Sequence, residues 1–358
     1  MKALIQDFRV WTEDLALTRP YSISYKTVDA VQNAFVFIQT QDGQFGIGSG
    51  SPSHYVTGEH LHQTVDVLNA SVEKLVKGKD IRTYKAILHE ANTVLANRPA
   101  ALAALDIALH DLYAKHLDLP LVEVLGRAHH SLPTSITIGI KSIEESLEEA
   151  REYRDRGFRI IKLKIGNSPE EDIEKLSALR KELGADFKIR VDANQGYDAD
   201  QYIAFDKAVQ HLDLEFYEQP FPTKQWTLMQ DLPEDLRMRS AADEDLLNVR
   251  DAVLLGADPL PYGIYNIKLM KCGGINAALS IATIAHNRSI DLMWGCNDES
   301  LISITGALHA ALASPATKYL DLDGSLDLAK DIATGGFVLK DGMMSTNDKP
   351  GLGIEYSK

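Results

Sequence analysis

The sequence contains little cysteine, no long apolar run and too little positive charge for several functional classes. No stretch reaches the ~18 consecutive apolar residues that a membrane span needs, and Asp7, Arg9 and Glu13 interrupt the N-terminal segment before a signal-peptide core could form. Lys and Arg number 37 against 51 Asp and Glu, which gives a net charge of −14. Such a charge repels nucleic acid and anionic membranes. We therefore expect a cytoplasmic protein that binds neither nucleic acid nor a membrane.

Cysteine and glycine patterns exclude two further kinds of site. Cys272 and Cys296 are too few for a disulfide framework, and neither lies in a Cys-x-x-Cys pair. We expect both to be buried free thiols. The glycine run at residues 46–50 lacks the third glycine of a dinucleotide-binding fingerprint, and no periodic helix follows it. We predict a turn there.

The 358 residues have the composition of a soluble globular protein and allow two domains, or one barrel with a smaller partner. The first ~125 residues mix extended runs with helices, among them a long helix over residues 100–115 after Pro99. From about residue 132, short β-rich runs alternate with helices, and the runs start about 22 to 28 residues apart. The eight runs are 135–138, 160–165, 187–191, 214–217, 239–241, 265–267, 291–294 and 319–322. This alternation predicts a parallel sheet, and eight units predict a closed barrel.

Local signals mark the ends of several elements. Ser142 and Glu145 have capping-box spacing ahead of a helix that we expect to stop at Gly157. A second helix is predicted over residues 246–255. A hairpin signal at residues 340–343 lies in the C-terminal tail, which we expect to return to the N-terminal part.

Charged side chains follow nearly every β-rich run, at the strand ends where such barrels form their active sites. Because side chains alternate along a strand, Lys162 and Lys164 lie opposite Leu163 and inside the barrel, and Asp321 and Asp323 are inward neighbours in the same way. A single Asp after a strand is often only a helix cap. Independent caps would not place carboxylates after three consecutive strands, with lysines on the strands to either side. These carboxylates are Asp192, Glu218 and Asp243.

Three carboxylates from adjacent strands form a hard-oxygen site of the kind that suits Mg²⁺. No His or Cys accompanies them, which disfavours zinc. The sequence thus predicts Asp192, Glu218 and Asp243 as Mg²⁺ ligands. Glu244 or Asp245 could replace Asp243 by a shift in register.

Lys164 and Lys268 come from strands two and six of eight, hence from opposite sides of the barrel. We expect one lysine to remove a proton from a carbon next to a carboxylate and the other to return it on the opposite face. The enolate between these steps needs a metal and a nearby cation, for which Lys162 is the candidate. Both bases would need a lowered pKa, which we expect from repulsion by the metal and Lys162.

These residues resemble a known family, the enolase superfamily in its muconate-lactonizing subgroup, and most closely the dipeptide epimerases. The motifs are Lys162-Leu163-Lys164-Ile165-Gly166, Val191-Asp192-Ala193-Asn194-Gln195-Gly196, Tyr217-Glu218-Gln219-Pro220, Asp243-Glu244, Ile267-Lys268, and a helix at residues 104–112 followed by Pro120-Leu121. The resemblance covers nearly the whole chain. It implies a modified (β/α)₇β barrel at residues 127–323, capped by an α+β domain made from residues 1–126 and the tail 324–358. It also implies Lys164 and Lys268 as the acid–base pair, with the three carboxylates on Mg²⁺.

The resemblance extends to the substrate. Asp321-Leu322-Asp323 resembles the epimerase motif that binds the free α-ammonium of a dipeptide, and paired carboxylates suit a buried cation. Lys26, in a specificity loop at residues 18–28, falls where epimerases acting on Ala-Glu carry a basic residue. Asp298 either contacts the substrate side chain or caps a helix. Thr137, on the first barrel strand, completes the substrate-binding candidates.

We therefore expect a Mg²⁺-dependent dipeptide epimerase, an isomerase that transfers a proton at the α-carbon of the C-terminal residue, with L-Ala-D/L-Glu as the favoured substrate. The alternatives are an epimerase of another dipeptide class, an N-acylamino acid racemase or o-succinylbenzoate synthase of the same subgroup, and a ligand-binding protein on the same fold. The lack of a His just past the seventh strand argues against the mandelate racemase group. Relatives commonly associate, so a homo-oligomer is compatible with the resemblance.

Overall fold

The structure, a computed structural model, describes residues 3–23 and 26–356, without the side chains of residues 20–23 and 26–28. The N-terminal part forms a capping region of one antiparallel sheet and a group of helices. Its elements are β1 (Ile5–Ile23), β2 (Lys26–Thr40), β3 (Phe45–Gly50), α1 (His54–Thr57), α2 (Leu61–Val76), a 3₁₀ turn (Ile81–Thr83), α3 (Tyr84–Val94), α4 (Pro99–His116), α5 (Leu121–Leu125) and the short β4 (Leu132–Pro133).

The glycine run that the sequence predicted as a turn is the strand β3, so that prediction is wrong. The strand pairs antiparallel with β2, and α4 lies directly against it. A Cβ atom on Gly48 would lie 2.0 Å from the carbonyl oxygen of Ala104, and Gly46 and Gly50 meet α4 just as closely. The glycines therefore let a helix backbone approach a strand, a role that neighbouring residues do not reveal.

Helix α4 confirms the helix predicted over residues 100–115. Pro99 suits the first turn, where no backbone N–H is needed. The helix is buried on nearly all sides and carries buried polar groups that connect it to other segments. Asp111, for example, accepts hydrogen bonds from the backbone N–H groups of Ile47 (3.1 Å) and Leu352 (2.8 Å). It thereby ties β3 and the C-terminal tail to one helix.

Eight parallel strands stand side by side in chain order and form the barrel. They are β5 (Ile136–Ile138), β6 (Ile160–Lys164), β7 (Lys188–Asp192), β8 (Leu214–Glu218), β9 (Ser240–Ala242), β10 (Ile264–Ile267), β11 (Asp291–Gly295) and β12 (Thr317–Asp321). The backbone N–H of Ser135 donates to the carbonyl of Leu320 (3.1 Å), which brings the last strand beside the first. The barrel is thus nearly closed.

Helices connect successive strands and cover the outside of the barrel. They are α6 (Ile143–Asp155), α7 (Pro169–Leu183), α8 (Ala199–Val209) with a 3₁₀ turn (Gln210–Leu212), α9 (Trp226–Gln230), α10 (Glu234–Met238), α11 (Val249–Leu255), α12 (Leu269–Cys272), α13 (Ile275–Asn287) and α14 (Leu301–Ala313). Seven strand–helix units and an eighth strand make up the predicted (β/α)₇β barrel. The capping box of Ser142 and Glu145 is present. Helix α11 starts at Val249, later than predicted, because the Asn248 side chain caps it.

The C-terminal tail returns to the capping region, as the sequence predicted. It contains β13 (Ala333–Gly335), β14 (Phe337–Lys340), β15 (Met343–Thr346) and β16 (Ile354–Tyr356). Asp341 and Gly342 form the predicted hairpin turn with positive φ, and the Tyr356 ring lies 6.0 Å from the ring of Trp11 in β1. The domain boundaries at residues 126 and 323 stay predictions. Within the described ranges, every helix is too short or too polar to cross a membrane.

Candidate active site

Lys162 lies at the centre of a carboxylate cluster inside the barrel. Its Nζ lies 2.8 Å from Asp321 Oδ2, 2.9 Å from Glu218 Oε2 and 3.3 Å from Asp192 Oδ2. Leu163, the next residue on β6, is buried on the opposite face, as the alternation predicted. Burial lowers the pKa of Lys162, but the surrounding carboxylates outweigh burial and hold that pKa well above its usual value. The carboxylates around Lys162 therefore favour its charged form.

Lys164 and Lys268 stand on opposite walls of the barrel. Lys164 ends β6 and Lys268 follows β10, and these strands are four apart in the ring of eight. Lys164 Nζ donates to Asp192 Oδ2 (2.6 Å) and Asn194 Oδ1 (2.8 Å), whereas Lys268 Nζ donates to Asp243 Oδ2 (2.8 Å). The Lys164 side chain is 28% exposed and that of Lys268 8%. Two amines thus face one interior space from opposite sides.

The lowered pKa predicted for the two bases depends on a bound metal, so it stays a prediction. Burial lowers the pKa of Lys268, but the carboxylates of Asp243 and Glu218 raise it by more. The pKa of Lys268 therefore lies above its usual value. The prediction counted repulsion by cations. It left out the carboxylates, because which of them contacts Lys268 depends on the packing of three strands.

The three predicted metal ligands lie at the ends of consecutive strands and are fully buried. Asp192 is paired in register with Glu218 across β7 and β8. Burial and the Asp192 charge raise the pKa of Glu218 to about 7. Burial alone would also raise the pKa of Asp243, but Lys268 and Lys271 hold it well below its usual value.

Negative charge exceeds positive charge in this cluster. Six carboxylates and four ammonium groups lie in it, and the buried Glu299, whose charge interacts with Lys268, is a further carboxylate. The six are Asp192, Glu218, Asp243, Glu244, Asp321 and Asp323, and the four are Lys162, Lys164, Lys268 and Lys271. Among the described residues, no three side chains already form a metal-binding group, because the carboxylates turn toward the lysines. Buried hard oxygens with this excess of charge nevertheless fit Mg²⁺.

The sequence left open which of the three acidic residues after β9 faces the candidate metal site, and the structure leaves two of them close to it. Asp243 faces Lys268, as above. Asp245 instead accepts hydrogen bonds from the Gln219 side chain (3.0 Å) and the Tyr262 hydroxyl (2.8 Å), so it belongs to a different set of contacts. Glu244 remains close, because its Oε1 accepts from Asn194 Nδ2 (3.2 Å).

Three substrate-binding candidates come together at the other side of Lys162. Asp321 Oδ1 accepts from the Ser135 hydroxyl (2.6 Å), and Asp323 Oδ2 accepts from the backbone N–H of Thr137 (2.7 Å). Thr137 therefore contacts Asp323 through both its backbone N–H and its side chain. Burial and the neighbouring Asp321 raise the pKa of Asp323 to about 7, which marks a place with surplus negative charge.

The other two substrate-binding candidates lie nearer the capping region. Asp298 is half-buried, and its carbonyl oxygen accepts from the Ser51 hydroxyl (3.2 Å) just after β3. The backbone of Lys26 begins β2, but its side chain lies outside the described residues.

Sequence reasoning missed two residues of the cluster and misjudged a third. Lys271 is buried, and its Nζ donates to the carbonyl of Asp243 (2.6 Å) and to Asp243 Oδ1. Asn266 Nδ2 donates to Glu218 Oε1 (2.8 Å). Cys296 was expected to be buried but is half-buried beside Asp323. The three-residue spacing of Lys268 and Lys271 was the available signal.

Comparisons with known proteins place the chain in a family. Residues 6–126 match the mandelate racemase/muconate lactonizing enzyme N-terminal domain, and residues 145–358 match the enolase C-terminal domain-like family. An L-Lys-D/L-Arg epimerase of Desulforapulum autotrophicum is 54% identical over 98% of this chain and 99% of its own. An L-Ala-D/L-Glu epimerase of Clostridium acetobutylicum is 32% identical over 98% and 99%.

A solved structure shows the same fold. The dipeptide epimerase of Methylococcus capsulatus, complexed with Mg and the dipeptide L-Arg-D-Lys, superposes with a TM-score of 0.96, at 52% identity and over 99% of this chain and 100% of its own. These relatives are epimerases, so the chain is an isomerase of the racemase and epimerase class. The chain belongs to the mandelate racemase/muconate lactonizing enzyme family of the enolase superfamily.

Proposed function

We propose that this protein is a Mg²⁺-dependent dipeptide epimerase that inverts the α-carbon of the C-terminal residue. The observation that carries the proposal is the pair of amines, Lys164 and Lys268, on strands at opposite sides of the barrel. Inversion needs proton removal on one face of a carbon and proton return on the other. Two bases on opposite sides suit that reaction, whereas a single base would return the proton to the same face.

The remaining groups support this reaction around the two lysines. Asp192, Glu218 and Asp243 would hold Mg²⁺, which supplies the positive charge that acidifies a proton next to a carboxylate. Lys162, kept cationic by three carboxylate contacts, adds a fixed positive charge in the same space. Lys164 and Lys268 each hold or move a proton at Nζ.

The dipeptide's free α-ammonium would bind at Asp321 and Asp323. Asp321 already pairs with the Lys162 ammonium group, whereas Asp323, within the described part of the chain, accepts from Thr137 and the Cys296 thiol and pairs with no ammonium group. An ammonium group placed there would neutralise the surplus negative charge. This reading favours a free dipeptide over an N-acylated amino acid.

We infer that the preferred dipeptides carry cationic side chains. The two relatives above 50% identity act on or hold Lys- and Arg-containing dipeptides, whereas the L-Ala-D/L-Glu epimerase is 32% identical. A net charge of −14 attracts such dipeptides toward the protein. L-Ala-D/L-Glu, which the sequence favoured through Lys26, is therefore the less supported substrate.

The test is proton NMR in D₂O of a dipeptide panel with purified enzyme and Mg²⁺, because loss of the α-proton signal reports turnover for any product. The panel contains L-Lys-L-Arg, L-Ala-L-Glu and N-succinyl-L-arginine. We expect the fastest loss for L-Lys-L-Arg. Fastest loss for L-Ala-L-Glu would restore the acidic specificity, and fastest loss for N-succinyl-L-arginine would favour an N-acylamino acid racemase.

A further inference from the structure

Lys268 belongs to a compact turn that ends where α13 begins. Its carbonyl accepts from the backbone N–H groups of Lys271 (3.0 Å) and Cys272 (3.2 Å). The Leu269 carbonyl accepts in turn from Gly273 and Gly274, each at 3.0 Å. Residues 268–274 are thus one hydrogen-bonded unit, so a shift of the start of α13 moves the backbone of Lys268.

The capping helix α4 fixes the end of this unit. Gly274, at the N-terminus of α13, has no side chain to cap the helix, and Asp106 of α4 takes that place. Asp106 accepts hydrogen bonds from the backbone N–H groups of Ile275 (2.7 Å) and Asn276 (3.3 Å). A carboxylate at a helix N-terminus also interacts favourably with the helix dipole. The fit is tight, because a Cβ atom on Gly274 would lie 2.5 Å from Asp106 Cβ.

Two more contacts from the capping region reach the same unit. Leu102 of α4 packs on Gly273, where an added Cβ atom would lie 2.8 Å from Leu102 Cδ2. The backbone N–H of Ser51 points to the sulfur of Met270 at 3.0 Å. Residues of the capping region therefore hold this unit at Met270, at Gly273 and at the start of α13.

The segment after Lys164 is held by a different set of contacts, which come from the barrel. Ile165 N–H donates to the Asp192 carbonyl (2.9 Å), and Gly166 N–H donates to Asp172 Oδ2 (2.9 Å). Tyr197 in turn donates its hydroxyl proton to Asp172 Oδ2 (2.7 Å). The two opposed lysines thus depend on different parts of the molecule for their positions.

We propose that Asp106 is a positioning residue for Lys268, through which the capping helix sets the base on one face of the substrate carbon. The inference rests on the proposed function, because it needs Lys268 to act on one epimer and Lys164 on the other. Loss of the Asp106 cap frees the start of α13 and with it the turn that carries Lys268. Lys164 keeps its place.

The experiment measures α-proton exchange in D₂O for L-Lys-L-Arg and L-Lys-D-Arg separately, with Mg²⁺. The variant Lys164→Ala first identifies the epimer that Lys268 deprotonates, since only that epimer still exchanges. In Asp106→Ala we expect exchange of that epimer to fall about tenfold or more, and exchange of the other to stay within about twofold. Asp106→Asn should recover part of the loss, because its amide oxygen still accepts a hydrogen bond.

Asp111 offers a matched control on the same helix. It is also buried and also accepts from two backbone N–H groups, but these belong to Ile47 and Leu352. Asp111→Ala should change the exchange of both epimers by the same factor. Equal slowing of both epimers in Asp106→Ala, or the same asymmetry in Asp111→Ala, would overturn the proposal.

Two other outcomes of the experiment are also informative. If Asp106→Ala does not fold, Leu102→Ala perturbs the same unit through Gly273 and is judged by the same criterion. If the unmodified enzyme exchanges neither epimer, the proposed function itself fails, which is distinct from symmetric slowing in an active enzyme.

Discussion

The walls of the barrel that carry Lys164 and Lys268 differ in how they hold a similar amine. Lys164 is the more exposed of the two, donates hydrogen bonds to Asp192 and Asn194, and is followed by a segment held within the barrel. Lys268 is nearly buried, pairs with Asp243, and sits on a turn held by the capping region. The two lysines carry the same chemical group, but different parts of the protein hold them in place. A substitution that disturbs the surroundings of one lysine should therefore slow the proton exchange of one epimer more than that of the other.

Removing either amine should produce the largest effect. Lys164→Ala and Lys268→Ala should each reduce epimerisation by about 10³-fold or more, because general acid–base groups contribute on this scale. Epimerisation of L-Lys-L-Arg, followed by chromatographic separation of the two epimers, measures the loss. Near-normal epimerisation by either variant would show that the two-base assignment is wrong.

Mg²⁺ would serve both faces of the reaction, so weaker Mg²⁺ binding should slow the exchange of both epimers. Asp192→Asn and Glu218→Gln should weaken Mg²⁺ binding by about tenfold or more, since a ligating charge is lost. Isothermal titration with Mg²⁺ measures this binding directly, and EDTA should stop turnover until Mg²⁺ is restored. Undiminished turnover after rigorous metal removal would contradict the proposed chemistry.

Blocking the substrate's ammonium group tests the carboxylate pair beside Lys162, which would bind the substrate whichever lysine removes the proton. N-acetyl-L-Lys-L-Arg should be a poorer substrate than L-Lys-L-Arg by about 10²- to 10³-fold in kcat/KM, because Asp323 loses its cationic partner. In Asp323→Asn this difference should shrink. Equal kcat/KM for the two substrates would remove the role of the carboxylate pair.

Lys271 tests the Lys268 wall alone. Lys271→Met leaves Asp243 Oδ1 without its buried donor, which costs about 1 to 3 kcal/mol, or about 5- to 150-fold, in the function that depends on Asp243. We expect weaker Mg²⁺ binding by titration and, at saturating Mg²⁺, slower exchange of the epimer that Lys268 serves. Lys175→Met, which removes a buried lysine of α7, is the matched control and should change neither.

Glu299 should have the smallest effect on turnover but a measurable effect on stability. Burial raises the pKa of this carboxyl to about 7, whereas in the unfolded chain it titrates near 4.5. The folded protein therefore binds the proton more tightly, so the free energy of unfolding falls as pH rises from about 4.5 to 7. Glu299→Gln should remove at most about 3 kcal/mol of this decline, measured by urea unfolding at pH 5 and pH 8. An unchanged slope would show that Glu299 titrates normally.

Sequence patterns predicted those parts of the fold that depend on residues close together in the chain. The eight β-rich runs fall within one or two residues of the barrel strands, because β-branched and aromatic residues are concentrated in them. Alternation alone placed Lys162 and Lys164 inside the barrel. The carboxylates after three consecutive strands were found in the same way.

Features that depend on long-range packing were missed. The glycines of β3 were taken for a turn, since only the approach of α4 explains them. Lys271 was overlooked because its direction is set by a one-turn helix that ends at Gly273, whose φ is positive. The contact between Lys268 and Asp243 was not predicted, because Asp243 follows another strand. Substrate preference depends on side chains from both the capping region and the barrel. These side chains are far apart in the sequence, so no local pattern predicts that they act together.

The most direct test of the opposed-base account is the exchange pattern of the two single-lysine variants. Lys164→Ala and Lys268→Ala are each incubated in D₂O with Mg²⁺ and either L-Lys-L-Arg or L-Lys-D-Arg, and the α-proton signal is followed by NMR. The account predicts that each variant exchanges one epimer and that the two variants exchange opposite epimers. Exchange of the same epimer by both variants, or of both epimers by either, would contradict it.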